Sequence, residues 1–425
     1  MALEIGINGF GRFGLHLLKY WLDRSDQSCF KIRYINDDYL DIKKSYDLIV
    51  NDKYVKYNKY KVQVSGDFLT ILEPNGAEHE ILFTNCKQKS IPWIGKPEIF
   101  FECSGKFTVA KNCSAYLKKR TKTVLISATS WDAEKTLVYG YNHKEYNPEL
   151  QLISYGSCTV NAFLPFADWI DQNYGIVDSD VNVIHNIQGY RLSGNNTLNR
   201  KFCTLEQSAK LLMDTINDNN FLVNYTVIPY TGSSMIDFRF RTKELVGLDT
   251  FVKDIDEAIN HGKLKNLYGL IEKDTGPEIH NCTTFSTVFI KEAIKSLNGN
   301  LYLQGYFDNE NSVNRFYDLA NYISNKIESN QNIHEILLVI WSNVLELAEK
   351  IKSIVADSFE MPYDAVTLDT GPSNTPAWDS FGQMGLVLNV EKEFDIILEF
   401  NEIFKIVSTQ TLLEVVEDKL NKNRK

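Results

Sequence analysis

The chain has 425 residues, with 45 Lys and Arg against 55 Asp and Glu (formal net charge −10), and is 44% hydrophobic and 24% charged. That length exceeds one ordinary core, so two or three domains are expected, and an acidic chain with no basic patch is not a nucleic-acid binder. The seven cysteines, at positions 29, 86, 103, 113, 158, 203 and 282, form no CxxC pair. They predict neither a disulfide framework nor a metal site and suit a reducing cytoplasm. No apolar run reaches the ~18 residues of a membrane span, and the chain enters a strand at once, so neither span nor leader is expected.

Leu3 to Asn8 reads as a strand, Gly9-Phe10-Gly11-Arg12-Phe13-Gly14 as a glycine turn, and Leu15, Leu17, Leu18, Trp21 and Leu22 as one face of a helix. A GxGxxG alone is weak. Between a strand and a helix it is specific, because the glycines let backbone approach a pyrophosphate at the helix N-terminus. A second strand, Lys31 to Ile35, ends in Asn36-Asp37-Asp38, with Asp37 23 positions after Gly14. That carboxylate can hold a ribose hydroxyl, and Asp38 adds a charge that should repel a 2′-phosphate, so NAD is favoured over NADP. Short apolar runs at Ile99 to Glu102 and Thr123 to Ile126 continue the alternation, which predicts an open parallel sheet.

From about residue 160 the pattern changes. Val181 to His185 and Ser234 to Phe240 alternate like strands exposed on one face, so a mixed α+β domain is expected. Residues 326–335 are polar and predict a linker. Beyond it Val344, Leu347, Ile351, Ile354, Val355 and Phe359 recur at helical spacing. A second helix should start near Ser380 with Phe381, Met384, Val387 and Leu388 on one side, and a third should run from about Thr411 to Leu420. Together these describe a small acidic helical bundle.

Up to about residue 325 the chain resembles the glyceraldehyde-3-phosphate dehydrogenase family. The matching stretches are Ile7 to Gly14, Ile35-Asn36-Asp37, Glu102-Cys103-Ser104-Gly105, Ile126-Ser127-Ala128, Asn142-His143, Ser157-Cys158-Thr159-Val160-Asn161 and Asp308-Asn309-Glu310. The resemblance implies an α/β Rossmann domain at 1–157, with a helix near 306–325 packing back onto it, and an α+β catalytic domain at 158–305. It implies Cys158 as nucleophile, forming a thioester, and His185 as its base. By the same resemblance NAD lies along Gly9, Phe10, Gly11, Arg12, Phe13, Gly14, Asn36, Asp37, Ser104, Gly105 and Ser127, with Asn309 on the nicotinamide carboxamide. A homo-oligomer is expected.

The departures from the family concern phosphate. Gln188 and Tyr190 stand where the family has substrate-phosphate threonines, and Val227 where it has an arginine. Cys203-Thr204-Leu205-Glu206-Gln207 lies near the place of its Ser-Thr-Gly-Ala-Ala run. The connection from His185 to Pro229 also looks shorter. An acyl pocket of Ser157, Thr159, Gln188, Tyr190 and Arg191 is expected, with Arg191 able to meet a phosphate in a new geometry. Losing charged ligands at ~1.5–3 kcal/mol each predicts poor use of glyceraldehyde 3-phosphate and no phosphorolysis.

Residues 336–425 resemble an acyl carrier protein on Trp378-Asp379-Ser380-Phe381, which implies 4′-phosphopantetheine on Ser380, added by a phosphopantetheinyl transferase. Glu391, Glu393 and Asp395 would then face basic acyl-handling partners acting before or after this step. The expected function is NAD-dependent interconversion of a small aldehyde and an acyl thioester on Cys158, exchanged with the carrier thiol. Two alternatives stand beside it. One is an ordinary aldehyde dehydrogenase, phosphorylating or not, with an independent carrier; the other is a retired fold presenting a carrier.

Overall fold

A computed structural model describes residues 2–186, 199–229, 232–308 and 311–423. The chain forms two compact units, Met1–Glu328 and Ser329–Lys425.

The first unit opens with β1 (Leu3–Asn8), α1 (Arg12–Leu22), β2 (Phe30–Asn36), α2 (Ile42–Asn51), β3 (Lys61–Ser65), β4 (Phe68–Leu72) and β5 (Glu78–Thr84). It continues with β6 (Ile99–Glu102), α3 (Ala110–Cys113), β7 (Thr123–Ile126), β8 (Lys135–Thr136) and β9 (Leu152–Ser154). These strands make one sheet in the order β3-β4-β5-β2-β1-β6-β7-β9-β8. Ile5, Ile7, Phe100 and Phe101 are fully buried, as parallel strands covered on both faces should be. The sheet is not wholly parallel as expected, because β3, β4 and β5 pair antiparallel at one edge. Gly66 at φ +58° begins a two-residue turn between β3 and β4.

The second sheet follows α4 (Cys158–Tyr174). It contains β10 (Ile176–Asn186), β11 (Asn199–Arg200), β12 (Phe221–Ile228), β13 (Ser234–Thr242), β14 (Tyr268–Ile271), β15 (Thr287–Ile290), β16 (Lys295–Leu297) and β17 (Asn300–Phe307). Helices α5 (Thr204–Leu212) and α6 (Leu248–Asn260) interrupt them. The central strand β10 runs parallel to β12 and antiparallel to β13, a mixed topology. Phe163 and Phe166 of α4 and Phe251 of α6 pack with Phe238, Phe240 and Phe289 in one core.

Helix α7 (Asn311–Ser358) sends Val313, Phe316, Tyr317, Ala320 and Ile323 into the core of the first sheet. The expected linker at 326–335 is helical and lies inside α7, although the boundary between the units falls within it. Polarity alone does not end a helix, and 311–358 contains neither Pro nor Gly.

In the second unit, α8 (Ser380–Phe394), α9 (Phe400–Ile403) and α10 (Thr409–Asn423) complete a bundle. Its core holds Ile351, Val355, Phe359, Trp378, Leu386, Val387, Val390, Leu412 and Val416. Trp378 stacks on Phe359 with centroids 4.7 Å apart. The inner face of α8 differs from the expected one. Val387 is buried, but Phe381 is 91% exposed, Met384 52% and Leu388 61%.

Candidate active site

Glycines shape the turn after β1. Gly9 has φ +101°, and a Cβ there would lie 2.4 Å from the Ser104 nitrogen. A Cβ on Gly14 would lie 2.3 Å from the Gly9 carbonyl oxygen. Only glycine fits either position. Around Gly11 there is open space, and this residue caps α1 without any side-chain hydrogen bond. The first-turn N–H groups therefore lack a side-chain cap beside an open cradle, which suits a pyrophosphate.

Asp37 is buried at the end of β2. Its Oδ2 accepts from the Phe10 N–H at 2.7 Å, and its Oδ1 from Tyr39 and Leu40 at 2.9 and 2.8 Å. It pins the glycine turn, and a carboxylate with about four acceptor positions keeps capacity for a ribose hydroxyl. Asp38 does not act as the extra negative charge expected of it, because the Lys106 ammonium sits 2.6 and 2.7 Å from its two oxygens. Of the two carboxylates expected to favour NAD, Asp37 is the one not paired with a lysine.

Other expected cofactor residues are built inward. Asn36 is fully buried and its amide serves the sheet, donating to Asn8 Oδ1 and the Cys86 carbonyl, both at 2.9 Å. Phe10 lies in the core, and Phe13 packs edge-on against Phe316 at 5.2 Å. Arg12 pairs with Asp52 and reaches His16 Nε2 at 2.9 Å. Their side chains are engaged within the protein, which leaves their backbone for a ligand. Ser104 is half-buried and Gly105 exposed at φ +68°, while Ser127 is half-buried. Asn309 lies outside the described residues. The Ser104 turn is held by Glu102, part of a matching stretch but given no role from the sequence. Glu102 accepts from Ser104 N at 2.9 Å, Asn8 Nδ2 at 2.8 Å, Tyr116 Oη at 2.9 Å and the Ser104 hydroxyl.

Cys158 is the first residue of α4, next to the Ser157 cap. Its Sγ lies 3.6 Å from His185 Nε2 on β10. His185 Nδ1 is 2.7 Å from the Asn186 carbonyl oxygen. That carbonyl only accepts, so Nδ1 carries the proton and Nε2 faces the thiol as an acceptor. Burial pushes the His185 pKa down, more than the Asn186 carbonyl and Asp308 push it up. The helix N-terminus favours negative charge at the sulfur. The ring of Tyr225 lies 5.5 Å from that of His185, and Phe307 5.8 Å.

The acyl side departs from expectation. Thr159 is buried and its hydroxyl lies 3.5 Å from Cys203 Sγ, so it faces the protein. The Ser157 hydroxyl accepts from Thr204 at 3.0 Å. Val227 pairs with His185 in register and is 3% exposed, an apolar neighbour of the base. Gln188, Tyr190 and Arg191 lie outside the described residues. Thr204 was recognisable only as part of a replaced run. In the second unit Ser380 is exposed at the start of α8, where Asp379 Oδ1 accepts from Phe381 and Gly382, both at 2.9 Å.

Among the described residues no three His, Cys, Asp or Glu side chains are grouped to hold a metal, and no helix is long and apolar enough to cross a membrane.

Residues 3–110 match the family described as glyceraldehyde 3-phosphate dehydrogenase, NAD binding domain. The chain is 28% identical over 349 residues to cytosolic glyceraldehyde-3-phosphate dehydrogenase of Pisum sativum, covering 76% of this chain and 99% of that one. It is 29% identical over 329 residues to glyceraldehyde-3-phosphate dehydrogenase 3, cytosolic, of Zea mays, covering 72% and 94%. It is 27% identical over 344 residues to glyceraldehyde-3-phosphate dehydrogenase 1 of Caenorhabditis elegans, covering 76% and 98%. The first unit thus carries an NAD-binding domain of the glyceraldehyde-3-phosphate dehydrogenase type, within a longer stretch similar to those enzymes.

Proposed function

We propose that this chain is an NAD-dependent oxidoreductase interconverting an uncharged aldehyde and an acyl thioester on Cys158, and that the acyl group is exchanged with a phosphopantetheine thiol on Ser380. The contact between Cys158 and His185, 3.6 Å at the N-terminus of α4, carries the reading.

His185 Nε2 takes the thiol proton, and the sulfur bonds to the aldehyde carbon. The oxygen gains negative charge beside the Cys158 backbone N–H. When bound, NAD supplies the acceptor for the hydride released as the C–H bond breaks. A thioester remains on Cys158 and one proton on His185. In the next step His185, once that proton has left to solvent, accepts the proton of an incoming thiol. The new C–S bond forms, and Cys158 leaves as thiolate. Attached at Ser380, the pantetheine arm supplies that thiol.

Two features support an uncharged acyl group. Val227 places a methyl-bearing side chain next to His185, where the resemblance implies an arginine, and the Ser157 and Thr159 hydroxyls contact Thr204 and Cys203. An unpaired phosphate there would lose ~1.5–3 kcal/mol for each missing charged contact. The carrier half is supported by an exposed Ser380 on a separate unit, residues 329–425, which has 16 acidic against 8 basic residues. A tether brings the thiol to about millimolar effective concentration, so weak docking suffices. A phosphopantetheinyl transferase and further acyl-handling enzymes are the partners this reading requires.

The test is intact-protein mass after co-expression with a phosphopantetheinyl transferase, then incubation with NAD and propanal. One arm should appear, be absent from Ser380→Ala, and gain an acyl mass that Cys158→Ser prevents. No arm on Ser380 defeats the carrier half. An arm acylated equally without Cys158 defeats the coupling. Strong phosphate-dependent NADH formation from glyceraldehyde 3-phosphate defeats the substrate assignment.

A further inference from the structure

A cleft of the first unit, about 1180 Å³, contains neither Cys158, His185 nor the glycine turn. It opens where α1, residues 139–145, the far end of α4 and the first turns of α7 come together. Seven lysines and arginines line it against four carboxylates. Most of those carboxylates are already matched. Lys19 pairs with Asp23, Lys263 with Asp168, and Arg24 and Arg315 both with Asp318. Lys144 and Lys265 stand outside these pairs and are exposed.

The wall also holds donors that lack acceptors. His16 Nε2 lies 2.9 Å from the Arg12 guanidinium, which can only donate, so the neutral ring carries its proton on Nδ1. That Nδ1 is buried and has no partner among the described residues. Asn314 accepts from Arg24 through Oδ1 at 2.8 Å, leaving Nδ2 buried without a partner among the described residues. Arg315 donates to the Asn266 and Thr284 carbonyls at 2.9 and 3.2 Å, yet its Nε is buried without an acceptor among the described residues. These three N–H donors belong to residues lining one cleft. An oxygen acceptor drawn into the wall would satisfy them. Tyr54, Tyr139, Tyr141 and Phe285 add aromatic surface to the same cleft.

We propose that this cleft binds a phosphate ester of nucleotide size, its phosphates meeting Lys144 and Lys265 and its planar ring meeting the tyrosines. The site is separate from the dinucleotide crevice, so it can be filled while NAD is bound.

The test is calorimetric titration of the full chain, saturated with NAD, with ADP as probe. ADP should bind, inorganic pyrophosphate should displace it, and adenosine should not. The double variant Lys144→Glu/Lys265→Glu, changing only exposed side chains, should weaken ADP at least tenfold and leave NAD affinity unchanged. No ADP binding at millimolar concentration overturns the proposal. So does unchanged ADP affinity in the double variant, or adenosine competing as well as pyrophosphate.

Discussion

Replacing His185 with Gln removes the imidazole that lies 3.6 Å from the Cys158 sulfur, while keeping a polar side chain on β10. A glutamine cannot exchange a proton near neutral pH. A positioned general base contributes roughly 10²–10⁴-fold, which is about 3–5 kcal/mol of barrier at ~1.36 kcal/mol per decade. The pH dependence follows from the wild-type site. Burial lowers the His185 pKa from its ordinary value of 6.5, so the neutral, proton-accepting ring persists at and below that value. Wild-type turnover should hold through neutral pH and fall only as pH drops beneath 6.5. The variant should lose that acid limb along with its rate. Iodoacetamide alkylation of Cys158, followed by peptide mass, reads the thiol without knowledge of the natural aldehyde, and NADH formation from propanal reads turnover. Alkylation and turnover equal to wild type across this pH range would mean that the sulfur–imidazole contact does nothing.

The buried His16 should make the fold acid-sensitive. Burial, then Arg12 and Lys19, hold its pKa well below 6.5, so the stability it permits is present above that value and lost as pH falls, because the unfolded chain takes the proton first. The urea midpoint should decline from about pH 7 to about pH 5, and less steeply in His16→Gln; identical slopes would refute this. Gly9→Ala must place a Cβ 2.4 Å from the Ser104 nitrogen at φ +101°, and NAD titration by tryptophan fluorescence should show at least tenfold weaker binding. Glu102→Gln turns an NH₂ group toward donors from Ser104, Asn8 and Tyr116. It should cost ~2–4 kcal/mol in chemical unfolding and raise the KM for NAD more than it lowers kcat. Trp378→Ala empties a 2% exposed site stacked on Phe359 and should destabilise the second unit by ~3–5 kcal/mol, which calorimetry would register as an earlier melting transition.

What was legible in the sequence is what local chemistry dictates. Residues 3–14 declare strand, glycine turn and helix by themselves, and Ile99–Glu102 and Thr123–Ile126 are strands with the expected bounds. The antiparallel edge was missed because β3 is mostly exposed and alternates only weakly, leaving the Gly66-Asp67 turn as its main signal. The inner face of α8 was misjudged because apolar residues surround that helix. Periodicity could not choose between Phe381-Met384-Leu388 and the Leu386-Val387-Val390 face that packs. Side-chain encounters across long spans were not readable from patterning. Lys106 with Asp38, Thr204 with Ser157 and Glu102 with Asn8 join residues 47–94 positions apart. The approach of Cys158 to His185 came from resemblance alone, since 27 residues of sequence do not specify 3.6 Å.

The two sides of the proposed reaction are built differently, and this explains how one can persist while the other changes. The dinucleotide side consists of backbone: a glycine turn at Gly9 and Gly14, an open helix N-terminus at Gly11, and Asp37 bonded to three N–H groups. Such a site depends on a few glycines and one carboxylate and tolerates replacement of most surrounding side chains, as at 28% identity. The acyl side depends on side chains projecting from β10, β12 and the start of α5, where one substitution changes the chemistry. Val227, paired with His185, puts a hydrocarbon where the proposed reading has the family's arginine, and Cys203 and Thr204 contact the hydroxyls of Thr159 and Ser157. Neither change touches the sulfur–imidazole pair or the glycine turn. Under the proposed reading, thioester formation survives while phosphate loses its contacts as substrate group and as acceptor, leaving the Cys158 thioester to a thiol. A Val227→Arg variant tests this division. It should improve use of glyceraldehyde 3-phosphate relative to propanal in kcat/KM while leaving NAD affinity unchanged. An equal loss with both aldehydes would show that the residue beside His185 does not select the acyl group.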